Sequence, residues 1–185
     1  MRYVLYSSLI AMMCASMAHA KDQDLAKDKP QIVGYLERVV VQHIDKEYKA
    51  KLDTGADTSS LHAEIIELQE PKKKGGKGGY VIFDISSQDG KSSHIRKPLI
   101  RMVRIIARGS KGYLHRPVVE MTFCMAGKLV TGEVNLANRE RFNYDVLVGR
   151  NMLKQAHFAV DSSVEFTTKP NCVSPDAAKE DLEQN

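Results

Sequence analysis

The chain has 185 residues, 43% of them hydrophobic and none of them tryptophan, with 27 lysines and arginines against 23 aspartates and glutamates. That length suits one domain with an ordinary core. The net charge of +4 can attract anionic partners, but cations and acids are interleaved and leave no nucleic-acid footprint.

The N-terminus reads as an export leader. Arg2 supplies a positive start, Val4 to Met17 is largely apolar, and Ala18-His19-Ala20 places small residues where a signal peptidase reads. The apolar run is short for a membrane span. We expect residues 1–20 to be a signal peptide cut after Ala20, and the protein to be periplasmic or secreted. Cys14 then leaves with the leader, and Cys124 and Cys172 remain as a pair. An even pair in an oxidising compartment invites a disulfide, with two unpaired thiols as the alternative; sequence alone does not place their Cα atoms. Residues 21–30 are polar and charged, a flexible lead-in to a domain over 31–173. Residues 174–185 are polar and mostly acidic, the composition of a disordered tail.

Between these ends the pattern is nearly all strand. Ile32 to Val41 is rich in β-branched residues, and Tyr48 to Leu52 alternates with period two. Ser60 to Ile66 reads as a strand, overlapped by a helical reading of Ala63 to Leu68. Tyr80 to Ile85 is bounded by glycines on one side and by Ser86-Ser87-Gln88-Asp89-Gly90 on the other. Ile95 to Ala107, Tyr113 to Cys124, Lys128 to Leu136 and Asp145 to Val148 follow, and Arg150 to Gln155 reads as a short helix. Short strands joined by glycine turns predict an all-β fold, a closed barrel or sandwich. Pro71 to Gly79, with three lysines in a row and paired glycines, is the most mobile stretch by composition.

The strand ending at Leu52 runs into Asp53-Thr54-Gly55, a small polar turn carrying one carboxylate. Glycine lets backbone amides approach and donate to that carboxylate, and the threonine hydroxyl can donate and accept at once. Two such turns face to face would bring together two carboxylates that share one proton. The chain has no internal repeat and no second Asp-Thr-Gly or Asp-Ser-Gly.

Asp53-Thr54-Gly55-Ala56-Asp57-Thr58-Ser59 resembles the active-site turn of the retropepsins, the single-domain aspartic proteases typified by retroviral proteases. Val146-Leu147-Val148-Gly149-Arg150-Asn151-Met152-Leu153 resembles the same family's apolar-apolar-Gly-Arg-Asn segment, a strand entering a short helix. The likeness runs from about Gly34 to Asp161 and is closest to a bacterial branch long labelled ATP-dependent zinc proteases. Several features follow from the resemblance. The fold would be a retropepsin-like barrel or sandwich with one short helix after Gly149-Arg150, with extra strands inserted around Ile95 to Phe123. Asp53, Thr54 and Gly55 would be catalytic, while Ala56, Asp57 and a flap bearing Gly75, Gly76, Gly78 and Gly79 would bind substrate. Arg150 would pair with Asp57 as structural support beside a dimer interface.

One aspartate turn per chain implies a homodimer, with peptide or protein as substrate. The rival reading is a non-catalytic module in the periplasm that binds a peptide or a membrane-protein partner in the same groove. No cofactor, metal or nucleic acid is expected. His43, His62, His94, His115 and His157 are scattered without a His-Glu-x-x-His pair, the cysteines lack metal-ligand spacing, and no glycine-lysine-threonine loop is present to hold ATP.

Overall fold

A computed structural model describes residues 29–172 apart from 43, 45, 73–75, 77, 87–91 and 107–111. The leader, most of the lead-in, the tail, Cys14, His43, Gly75 and Lys77 therefore lie outside the described residues. The chain divides at Gln31, and the unit beginning at Ile32 carries the structure discussed below.

Eleven strands and one described helix follow in order: β1 (Gln31–Val41), β2 (Lys46–Leu52), β3 (Ser59–His62), β4 (Glu64–Gln69), β5 (Tyr80–Ser86), β6 (Ser92–Pro98), β7 (Arg101–Ile106), β8 (Tyr113–Met125), β9 (Lys128–Ala137), β10 (Val146–Val148), α1 (Arg150–Ala156) and β11 (Phe158–Glu165). Eight strands form one mixed sheet in the order β11-β1-β2-β10-β3-β9-β8-β7. β1 also pairs with β8, Val39 to Val41 against Phe123 to Met125, so β1-β2-β10-β3-β9-β8 comes round into a nearly closed ring. β4-β5-β6 forms a second, three-stranded sheet.

Alternation explains the core. In β2, Tyr48, Ala50 and Leu52 are buried while Glu47, Lys49 and Lys51 face outward. Val39, Val41, Leu61, Phe123, Val134, Val146 and Val148 fill the same interior, and Val81, Phe83 and Ile85 of β5 pack onto it from the second sheet. Met152, Leu153 and Ala156 add the buried stripe of α1.

Three predicted elements differ. The helical reading of Ala63 to Leu68 is replaced by strand β4, all six of whose residues are exposed. One side of its backbone pairs with β5, which the apolar spacing of Ile65, Ile66 and Leu68 does not reveal. The predicted strand Ile95 to Ala107 is two strands, β6 and β7, separated at Leu99 and Ile100, whose amides bond to Gly79 O and Val118 O. β11 was not anticipated; its second half is exposed, and it adds as an edge strand beside β1.

Beyond β11 the chain is strapped down. Phe166 sits at φ 51°, and its N–H bonds to Leu36 O at 2.7 Å. The turn brings Thr167 and Thr168 against Glu37, which is only 1% exposed. Cys172 is joined to Cys124 by a disulfide, with 5.9 Å between Cα atoms.

Candidate active site

The Asp53 turn is the connection between β2 and β3, and β10 lies between those two strands. β10 runs parallel to β2, pairing Val148 with Leu52, and antiparallel to β3, pairing Leu147 with Ser60. Asp53 N–H donates to Val148 O at 2.8 Å, which fixes the carboxylate's place at the strand end. Gly55 N–H donates to Asp53 Oδ1 at 2.9 Å, the amide-to-carboxylate bond that glycine at this position permits. The Asp53 side chain is 28% exposed, and Lys51 Nζ lies 3.6 Å from its Oδ2. Thr54, Gly55 and Asp57 are exposed around it.

A polar clamp behind the turn holds it still. Asn151 Oδ1 accepts from both the N–H and the hydroxyl of Ser59 at 3.0 Å, while its amide donates to Glu133 O at 2.7 Å. The Ser59 hydroxyl also accepts from Gly149 N–H at 3.0 Å, and Asn135 donates to Ser59 O at 2.7 Å. Arg150 N–H donates to Ala56 O at 2.8 Å, and the Arg150 guanidinium donates to the Asp57 carboxylate. Gly149 is obligatory: a Cβ there would lie 2.7 Å from Thr58 C and 2.9 Å from Ala56 O. Buried Ser59 and half-buried Asn151 thus brace the turn, joined across 92 residues of sequence. Neither was singled out as a site residue, since only the fold brings them together.

Arg139 is another residue that the sequence did not single out. It is 5% exposed. Its Nε donates to Tyr144 O at 3.0 Å, its guanidinium stacks over the Phe142 ring at 4.7 Å, and its N–H donates to His62 Nδ1 at 2.8 Å. Burial, then the charge of Arg116, lowers its pKa from the usual arginine value, with Asp145 and Asp53 opposing. A buried cation therefore stands within electrostatic reach of Asp53.

The predicted flap residues belong to a different connection. The structure unites Asp53, Thr54, Gly55, Ala56, Asp57 and Arg150 around one turn. Gly76, Gly78 and Gly79 lie on the connection between β4 and β5, on the other sheet, with Gly78 at φ 101° where a side chain would be strained. Gly75 is outside the described residues. Among the described residues no three of His, Cys, Asp or Glu cluster to hold a metal, and His62 Nδ1 accepts from the Arg139 amide. Among the described residues no helix is long and apolar enough to cross a membrane.

A nearly closed strand ring carrying a glycine-braced aspartate turn, backed by a Gly-Arg-Asn segment that enters a helix, has the features of a retropepsin-like domain. Residues 32–171 match the family described as RimB-like, retropepsin-like aspartic endopeptidase RimB, and the chain belongs to that family. It is similar to a solved structure, protein Lpg0085 of Legionella pneumophila, described as of unknown function. The two are 34% identical, with a TM-score of 0.62, over 75% of this chain and 98% of that one. No curated protein matches the chain.

Proposed function

We propose that this protein is an aspartic endopeptidase that acts as a homodimer, with Asp53 of each copy meeting on a two-fold axis. The observation that carries this reading is the Asp53 carboxylate itself. It is held from behind by Gly55 N–H, is partly exposed in front, and is ringed by the exposed Thr54, Gly55 and Asp57. One chain offers one such turn, so a paired site needs a second copy.

Two carboxylates that close cannot both ionise, and the pair titrates as a unit. The ionised one takes a proton from a water lying between them, and that water's oxygen attacks the peptide carbonyl carbon. The protonated partner donates to the carbonyl oxygen. As the carbon–nitrogen bond breaks, a carboxyl proton passes to the leaving amine, which leaves as a neutral product. Thr54 braces the two turns across the axis, Ala56 and Asp57 bind the substrate backbone, and the connection bearing Gly75 to Gly79 closes over it. Export with loss of residues 1–20 accompanies this reading, and the substrate is an extended peptide or an unfolded protein segment.

The test uses protein beginning at Lys21, with and without Asp53→Asn, incubated with unfolded proteins from acid to neutral pH. Cut sites are identified by mass spectrometry. Cuts that vanish in the variant and survive a chelator are the expected result. Cuts that persist in Asp53→Asn would falsify the assignment.

A further inference from the structure

The chain's mild overall charge conceals a segregated segment. Between Asp89 and Glu120 there are eight lysines and arginines and no aspartate or glutamate. The other nineteen cations face all twenty-three acids, so the rest of the chain has the opposite sign. The segment spans β6, β7 and the first part of β8. β7 and the start of β8 pair as a two-stranded arm at the outer edge of the large sheet.

The last described residues of that arm are apolar, and the connection that follows them adds Arg108 and Lys111 to the sequence. The register sets Ile106 opposite Tyr113 and Arg104 opposite His115, all on one face, and sets Leu114 on the other face opposite Ile105. Ile106 is 75% exposed, Tyr113 58% and Leu114 49%. The Arg104 guanidinium lies 5.3 Å from the Tyr113 ring centroid. Cations on an edge strand do deter strand pairing. Edge protection, however, calls for no exposed isoleucine, leucine and tyrosine among the cations.

We propose that this arm docks on the surface of an anionic phospholipid bilayer. Exposed apolar and aromatic side chains set among cations are the chemistry that the surface of an anionic leaflet accepts. Ile106 and Leu114 reach the acyl boundary, the Tyr113 ring sits at headgroup level, and Arg104 with its neighbours meets lipid phosphates. A soluble polyanion would be served by the cations and would gain nothing from the apolar side chains. Docking there would hold the peptidase at a membrane face, independently of how the Asp53 turn works.

Co-sedimentation with vesicles tests the proposal, on protein beginning at Lys21. Every described core strand starts at Gln31 or later, so the cut removes no core element. Vesicles of phosphatidylcholine alone are compared with vesicles that also contain phosphatidylglycerol. The expected result is salt-sensitive binding to the anionic vesicles and little to the neutral ones. Arg104→Glu should weaken it roughly fivefold or more, since each cation near an anionic leaflet counts by about that factor. Ile106→Ser should weaken it roughly tenfold. Both side chains are exposed, and unchanged melting curves check that the variants fold. Failure to bind anionic vesicles overturns the proposal, as does binding that Ile106→Ser leaves unchanged. Equal capture of soluble polyglutamate, indifferent to Ile106→Ser, would also overturn it and make the segment a polyanion site.

Discussion

Glu37→Gln tests how the C-terminal strap is held. Glu37 Oε1 accepts from Gly34 N–H at 2.8 Å, Thr167 N–H at 3.1 Å and the Thr167 hydroxyl at 2.6 Å; Oε2 accepts from Thr168 N–H at 3.0 Å and its hydroxyl at 2.9 Å. Burial pushes this carboxyl up, but the bonds from Thr167, Gly34 and Thr168 together outweigh it and leave its pKa below the usual glutamate value. Glutamine can keep the Oε1 bonds without their charge assistance. On the other side its NH2 would face the Thr168 N–H, leaving one backbone donor orphaned. An orphaned donor costs about 1–3 kcal/mol, and lost charge assistance adds to it, so about 3 kcal/mol is expected in all. For a domain of this size that is a fall in Tm of roughly 10 °C. The Cys124–Cys172 bridge keeps the strap tethered, so the loss should appear first as faster amide exchange at Thr167 and Thr168. A depressed carboxylate stabilises the fold above its unfolded pKa, and that contribution disappears as pH falls through the folded value. The wild-type advantage should therefore be full at neutral pH and shrink on acidification below about pH 4, near the unfolded glutamate value. Thermal melts of both proteins across pH check this. A glutamine variant as stable as wild type at neutral pH, or a difference flat in pH, refutes the reasoning.

Gly149→Ala should cost several kcal/mol, because its Cβ would lie 2.7 Å from the Thr58 carbonyl carbon and the polar clamp leaves little room to move; chemical denaturation measures it. Tyr48→Phe should be neutral or stabilising by about 1 kcal/mol, since the Tyr48 hydroxyl is buried with no hydrogen-bond partner among the described residues. Burial, then the Asp145 charge, pushes that phenol up to about 12, so an ultraviolet pH titration should lose its latest-ionising tyrosine in the variant. Arg150→Lys should leave the melting of the single chain almost unchanged, because the Asp57–Arg150 pair is exposed, yet raise the dimer dissociation constant about tenfold by loss of the planar guanidinium. Sedimentation equilibrium separates the two effects.

Much of the ring was legible because its signals are local. β2 alternates strictly, and Val146 to Asn151 passes from a β-branched strand through glycine into a helix. The aspartate turn and the arginine segment were legible as motifs, and the fold sets them against each other through Arg150 and Ala56. What escaped is long-range. β4 carries apolar residues at helical spacing but is an exposed edge that pairs with β5 on one side. Glu37 looks like a lone acid in an apolar strand until Thr167 and Thr168 arrive from 130 residues away. Ser59, Asn135 and Asn151 are ordinary polar residues in sequence, and become braces only when β9, β3 and α1 are packed together.

The central claim, that two copies each lend one Asp53 to a shared water, is tested most directly by mixing subunits. Wild-type protein is held at a fixed, dimer-forming concentration while Asp53→Asn protein is added and peptide cleavage is followed. With random exchange, a ninefold excess leaves only about a tenth of wild-type chains paired with one another. The account predicts that activity falls to about that tenth. Cleavage that stays constant as the variant is added, with mixed dimers demonstrated by sedimentation, would contradict it, because one Asp53 would then suffice.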